Sequence, residues 1–398
     1  MLHQFLNLLK QRCMKTEKKL WVFTSFGGQY SDNPKYISIK LHEIDPTVKI
    51  VWLVKKEVLP TLPSYVTGID INSEDALRYR GRAEVCIDNV YGEKAISCFS
   101  DTFLTKIKAK IFAALVKKKS QHTYTTWHGT PLKRMGRDQI GNTVFDFYCP
   151  NTTMVLGNQF TLDIMQHLTF GKIQMQLLGT PRNDILFSGE TKQSELKMAL
   201  GLPMDKKILL YAPTFRNDGK DTEGKNVQRS GLDQLSELDF PRLFETLSDK
   251  FGGDWVFVCR FHYHVAKLVD WARLNEQYNG KIINGNDHDD MSEYMVCADM
   301  LMTDASSCMF DYSVTGRPCF LYFPDLEHYQ GKERGFYLDV NELPFPVATD
   351  CEGLIERLKN FDLEAYQSAA QKMQETFGYV DDSNSSQRIV NYILGEHQ

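Results

Sequence analysis

The chain has 398 residues, of which 42% are hydrophobic and 24% charged, which excludes a disordered chain, a collagen-like fibre and a coiled coil. At about 100–200 residues per domain, that length implies two domains or three. The 46 basic residues against 51 acidic ones leave a net charge of −5, which excludes a generally basic nucleic-acid binder. The average hides an asymmetry, because nine Lys or Arg and no acid lie between Thr102 and Arg137. The nine cysteines form no CxxC and read as buried thiols of a reduced, intracellular protein. No run of about 18 apolar residues is present to span a bilayer. The first residues lack a signal-peptide core and cleavage site, so a cytosolic-side protein, soluble or peripheral, is expected.

In chain order, residues 2–14 place Leu2, Phe5, Leu6, Leu8 and Leu9 near one helical face. Trp21–Thr24 reads as a buried strand running into the Gly-rich turn SFGGQYSDNP, followed by a helix from Pro34 to Ile44. Lys49–Val54, Val85–Ile87 and Tyr124–Trp127 read as further strands. The pattern restarts after Gly179 with strands at Ile208–Tyr211, Trp255–Cys259, Met300–Met302 and Cys319–Tyr322, and a helix follows from about residue 362. Strands alternating with helices predict βαβ units and parallel sheets, whose ligands sit at the strand ends.

Several strand ends carry chemistry-bearing residues. His128, in Trp127-His128-Gly129-Thr130-Pro131-Leu132-Lys133, stands beside a glycine where a backbone can approach a ligand. Lys133, Arg134 and Arg137 follow it and suit an anion. If Arg260-Phe261-His262-Tyr263-His264 stays extended, alternation puts Arg260, His262 and His264 on one side. A metal site there lacks a third ligand nearby, so phosphate binding by Arg260 and His262 is the stronger reading. Thr303-Asp304-Ala305-Ser306-Ser307 precedes a helical run, and Ser or Thr there serves as an N-cap in most proteins. The same geometry offers N–H groups and hydroxyls to an anion, with Arg317 in the next turn. Asp287, Asp289 and Asp290 read as a helix N-terminus or a solvated face. No GxxxxGK[ST], GxSxG or fingerprint GxGxxG occurs.

WHGTPLK, LGTPRND, YAPTFR, the RFH element, TDASS followed by FDYSVTGRP, and PDLEHYQGKERGFY occur in an order that resembles the CDP-glycerol glycerophosphotransferase family, over roughly residues 19–375. The resemblance implies an α/β fold of the GT-B type, two facing Rossmann-like domains with a central cleft. Expected divisions are an acceptor and membrane-facing domain at 1–185, a CDP-alditol domain at 186–375 and a C-terminal helix at 376–398. It also implies transfer of glycerol or ribitol phosphate from a CDP-alditol to a hydroxyl of a lipid-linked or glycan acceptor, releasing CMP, in teichoic acid or capsule synthesis. The alternatives are a GT-B enzyme using a nucleotide sugar and a catalytically silent binding protein. The absence of an added module favours a primase or single-step transferase over a long-chain polymerase. Here Ala305 replaces a family tyrosine, Tyr263 a proline, and Pro344-Phe345-Pro346 stands where a PG pair is usual.

The family's two functional histidines map to His128, expected as general base, and His262, expected to stabilise the departing CMP. Arg260, Thr303, Asp304, Ser306, Ser307, Arg317, Arg334, Thr214 and Arg216 are expected to hold the donor's phosphates. Gly129, Thr130, Lys133, Gly27 and Gly28 are expected on the acceptor side. No bound metal or cofactor is expected, with Mg²⁺ entering only on the substrate. Lys106, Lys108, Lys110, Lys117, Lys118 and Lys119, with Ile107, Ile111, Phe112, Leu115 and Val116, form a basic amphipathic stretch expected on anionic lipid. The expected location is the cytoplasmic face of a bacterial membrane.

Overall fold

The computed structural model describes residues 2–90, 96–98, 111, 115, 118–139, 146–148, 151–169, 173–214, 235–261, 263–327 and 335–397. Chain contacts divide it into two units: 1–130, 135–184 and 377–398, and 131–134 with 185–376. The C-terminal segment expected as a separate helix therefore belongs to the first unit, and Pro131–Arg134 belongs to the second.

The first unit carries β1 (Leu20–Phe23), β2 (Lys49–Val54), β3 (Thr67–Asp70), β4 (Val85–Asp88), β5 (Ile96–Cys98), β6 (His122–Thr125), β7 (Asp146–Tyr148), β8 (Thr152–Leu156) and β9 (Gln174–Leu177). Its main sheet runs β3-β2-β1-β4-β6-β8-β9, all parallel, with β5 and β7 forming a separate antiparallel pair. Every residue of β1 is buried, as expected of a parallel strand covered on both faces. The helix Asp32–Ile44 packs Ile37 and Leu41 on one face, where Ile389, Val390 and Ile393 of the helix Ser385–Glu396 join the same core. The C-terminal helical region is thus two helices, Leu363–Phe377 and Ser385–Glu396, separated at Gly378 with φ +64.

The second unit carries β10 (Lys207–Ala212), β11 (Trp255–Cys259), β12 (Ile282–Asn284), β13 (Met300–Thr303), β14 (Cys319–Tyr322) and β15 (Val347–Ala348). Its parallel sheet runs β12-β11-β10-β13-β14-β15. Strand order reverses between β1 and β4 in one unit and between β10 and β13 in the other, and such switch points are where doubly wound sheets open a crevice. Strands β3, β5, β7, β8, β9, β12 and β15 have no counterpart among the strands expected from the sequence. The strand expected at Tyr124–Trp127 lies two residues earlier, because Trp127, at φ +52, has already left the sheet.

Candidate active site

In the first unit, Thr126 donates its N–H to Asp88 O at 2.9 Å and holds the chain beside β4 for one more residue. Trp127 and Gly129 then take φ of +52 and +130, and the turn between them folds the His128 imidazole back toward β4. His128 Nδ1 lies 2.9 Å from Asn89 O. A carbonyl only accepts, so Nδ1 carries the proton in this contact and Nε2 is left with its lone pair. Phe26 meets the imidazole edge-on at 5.7 Å and Trp127 lies tilted against it at 4.1 Å. Burial lowers the imidazole pKa below its ordinary value. Arg182 pushes the same way, while the Asn89 carbonyl and Asp32 oppose the shift. The result is a half-buried, neutral imidazole with one basic nitrogen.

A buried polar nest holds the backbone of His128. Arg182 Nη2 donates to His128 O at 3.0 Å, and Nη1 pairs with Asp32 at 2.5 Å, both side chains less than a tenth exposed. Asn33 Nδ2 donates to Trp127 O at 3.1 Å, and Asn33 Oδ1 accepts Arg182 N–H at 3.0 Å. Asp32 sits at φ +62, a left-handed conformation that Asp adopts more readily than most residues. Asp32, Asn33, Asn89 and Arg182 were not singled out from the sequence, although SDNP and LGTPRND, which contain three of them, were.

The acceptor-side residues separate into different roles. Gly27, at φ +69, borders open space, whereas a Cβ on Gly28 would meet Lys55 N at 2.9 Å, so Gly28 is required by the turn. Thr130 is buried, its Oγ1 3.0 Å from Tyr379 Oη and accepting from Asn158 Nδ2 at 2.8 Å. Lys133 is corrected in its unit, since it bridges to Phe336 while Arg134 N–H and Tyr337 N–H bond across to Gly335 O and Leu132 O.

In the second unit, β13 ends at Thr303, whose Oγ1 donates to Ala212 O at 2.6 Å, and Asp304 accepts Thr214 N–H at 2.7 Å. These fully buried residues staple the two strands at the switch point rather than facing solvent. Ser306 and Ser307 are half-exposed just before the helix Cys308–Ser313, and Ser307 makes no side-chain cap bond. Of the four arginines expected beside the phosphates, the two that are described, Arg260 and Arg317, donate to carbonyls. Arg260 donates to Gly285 O, His288 O and Asp289 O at 2.6–2.8 Å and lies over Tyr294 at 5.0 Å. Arg317 donates to Met295 O and Val296 O at 3.0 and 2.9 Å, and to Ala298 O, closing the end of the helix Met291–Cys297. Helix-terminal and loop carbonyls lack partners of their own, and each of these guanidinium groups satisfies several at once.

The strand β11 stops at Cys259 and a helix opens at Tyr263, and the grouping expected of Arg260, His262 and His264 on one side falls on His262, outside the described residues. Asp290 caps the helix Met291–Cys297 by accepting Ser292 N–H at 2.9 Å. Among the described residues, no group of His, Cys, Asp or Glu is arranged to hold a metal ion. His262, Arg216, Arg334, Lys106, Lys108, Lys110 and Lys117 lie outside the described residues. Lys118 reaches the carbonyls of Gln11 and Gly81, which ties it to the fold, while Lys119 is exposed.

Residues 6–395 match the family model for CDP-Glycerol:Poly(glycerophosphate) glycerophosphotransferase. The chain is 30% identical over 395 residues to the teichoic acid poly(glycerol phosphate) polymerase of Staphylococcus epidermidis, covering 94% of this chain and 50% of that one. It therefore spans about half the length of that relative. It is 28% identical to the teichoic acid glycerol-phosphate transferase of Staphylococcus aureus, covering 98% of this chain and 97% of that one. The structure of the wall teichoic acid polymerase TagF, in a His-to-Asn variant, matches with a TM-score of 0.76 at 27% identity, over 100% of this chain and 98% of that one. The expected α/β fold with parallel sheets is thus shared with that structure.

Proposed function

This chain belongs to the CDP-glycerol:poly(glycerophosphate) glycerophosphotransferase family, and we propose that it transfers glycerol phosphate from CDP-glycerol to a hydroxyl of a teichoic acid acceptor. The observation that carries this reading is the His128 imidazole, neutral and with its basic Nε2 set by the Asn89 contact. An acceptor hydroxyl attacks the phosphorus bearing the glycerol, the P–O bond to CMP breaks, CMP leaves, and the hydroxyl proton passes to His128 Nε2. Such transfer needs positioning and charge neutralisation more than covalent help. His262, with Ser306 and Ser307, is assigned to the leaving phosphate, and Mg²⁺ to the donor diphosphate alone. Mass spectrometry of the products from a synthetic lipid-linked acceptor, offered CDP-glycerol, CDP-ribitol and nucleotide sugars in turn, tests the proposal. An added glycerol phosphate with equimolar CMP is the expected product. Addition of a bare sugar would replace the reading with glycosyl transfer.

The enzyme works at the cytoplasmic face of a bacterial membrane in this reading. Among the described residues no helix is long and apolar enough to cross a bilayer. Ile111 and Leu115 stand 55% and 44% exposed within the basic stretch, an apolar pair beside lysines that suits an interfacial surface. Each Lys near anionic lipid contributes about 1 kcal/mol, screened by salt. Co-sedimentation is therefore expected with vesicles rich in anionic lipid and to fall as salt rises. Binding indifferent to both would sink the membrane assignment.

A further inference from the structure

We propose that the C-terminal return segment, through Asp381 and Tyr379, positions His128 for the reaction; this rests on the reading of His128 as the base. The segment leaves the helix Leu363–Phe377 at Gly378 and lays Tyr379–Asp381 beside the loop after β8. Gln159 N–H bonds to Gly378 O and Val380 N–H to Gly157 O, at 3.2 and 3.1 Å. From there two hydrogen-bonded routes lead toward His128, one to its carbonyl and one to Thr130.

The first route passes through the turn Thr180–Asp184. One carboxylate oxygen of Asp381 accepts Thr180 N–H and the other accepts Asn183 Nδ2, both at 2.7 Å. Asp381 thus clasps the turn on either side of Arg182, the residue that donates to His128 O at 3.0 Å. The clasp has little slack, because a Cβ on Gly157 would lie 2.0 Å from Thr180 Oγ1, and one on Gly179 2.3 Å from Ser385 Oγ. Asp184 adds a second tie by accepting Ser385 N–H at 2.9 Å and Ser386 N–H at 2.7 Å. The second route is shorter. Tyr379 Oη lies 3.0 Å from Thr130 Oγ1, two residues beyond His128 and anchored from its other side by Asn158.

These contacts fix the backbone at and just after a residue whose own turn requires two positive φ angles. A general base acts only when its nitrogen meets the hydroxyl at hydrogen-bond distance and in line, and a displacement of about 1 Å can cost about 100-fold in rate. Asp381 and Tyr379 are therefore positioning residues, and the segment that returns from the second unit's helix to the first is part of the catalytic apparatus rather than a tail.

The test measures single-turnover rate and CDP-glycerol Kd for Asp381→Ala, Asp381→Asn and Tyr379→Phe, each alone and combined with His128→Ala. The ¹⁵N shifts of the His128 imidazole are recorded in parallel. Asp381→Ala is expected to slow turnover by about 10- to 100-fold, with donor Kd unchanged and the His128 signal moving from the Nδ1–H tautomer toward averaging. Tyr379→Phe removes a single hydroxyl, and Asp381→Asn keeps an acceptor for Thr180, so both fold and show the same effects in smaller measure. Neither position slows His128→Ala further if the two act through it. Loss of donor affinity with turnover kept would overturn the proposal, as would equal slowing in the His128→Ala background. Parental rates and imidazole shifts in both conservative variants would overturn it too. If His128→Ala itself turns over normally, the base assignment fails, and the imidazole shifts alone then decide whether Asp381 and Tyr379 position the residue.

Discussion

His128→Ala is expected to lower turnover by about 10²–10⁴-fold, the usual loss for a general base, while CDP-glycerol binding survives. The basis is the division of work on the ring: Nδ1 is spent on Asn89 O, so Nε2 alone is available to take a proton. Burial holds the imidazole pKa below its ordinary value, so the base stays unprotonated to lower pH than a free histidine. The acid limb of kcat/KM should accordingly fall below about pH 6.5, the unperturbed value. The same shift has a sign for stability. A folded-state pKa depressed below the unfolded one contributes stability that is present above about pH 6.5 and lost as pH falls through the folded value. Initial-rate profiles and donor titration calorimetry measure both effects. In the same assays His262→Ala is expected to weaken donor binding and turnover together, and His264→Ala to change neither. An active His128→Ala would move the base elsewhere, and an inactive His264→Ala beside an active His262→Ala would shift the donor-side assignment by two residues.

Arg182→Met is expected to be the costliest substitution for the fold of the first unit. It removes one partner of an ion pair whose side chains are 9% and 7% exposed, and leaves the Asp32 carboxylate without its charge partner. Removing one member of a buried pair costs about 3–5 kcal/mol, far more than any exposed pair contributes. At about 2–4 °C per kcal/mol for a unit of this size, the melting temperature should drop by roughly 6–20 °C. Asp32→Asn preserves size and the positive φ but removes the countercharge, and should cost a comparable amount. The double variant should recover part of the loss, because no unpaired charge remains. Thermal unfolding of the four proteins closes the cycle. Strictly additive losses would show that the pair acts as two separate residues. Turnover should fall as well in Arg182→Met, since its guanidinium also supports the His128 peptide.

The order of alternating strands and helices was legible because core strands of parallel sheets are covered on both faces. Leu20–Phe23, Trp255–Cys259 and Cys319–Tyr322 are therefore nearly unbroken apolar runs that need no partner to be recognised. The strands that escaped notice are short or polar. Thr152–Leu156 is wholly buried yet begins with two threonines, and Thr67–Asp70 is half-exposed at the sheet edge. His128 was legible from the company of Gly129 and from the motif around it, which are properties of neighbouring residues. Its tautomer was not, because that depends on a carbonyl 39 positions earlier.

What the sequence by itself determined was local or additive: the two-sheet α/β architecture, the motif order that marks the family, and the turns where functional side chains cluster. What only the tertiary structure decided was the partner of each polar side chain. Arg260 and Arg317 look like phosphate ligands in a list of cations, but each is drawn to three carbonyls. Arg182, one cation among many in the sequence, pairs with an aspartate 150 positions away and also holds the His128 carbonyl. Asp381 and Tyr379 lie some 200 residues or more from the groups they hold. The physical reason is one of range. Hydrophobic burial follows from each residue's own character and its periodicity. A hydrogen bond or buried ion pair depends on two groups meeting within about 3 Å, and their separation along the chain carries no information about that distance until the fold has closed.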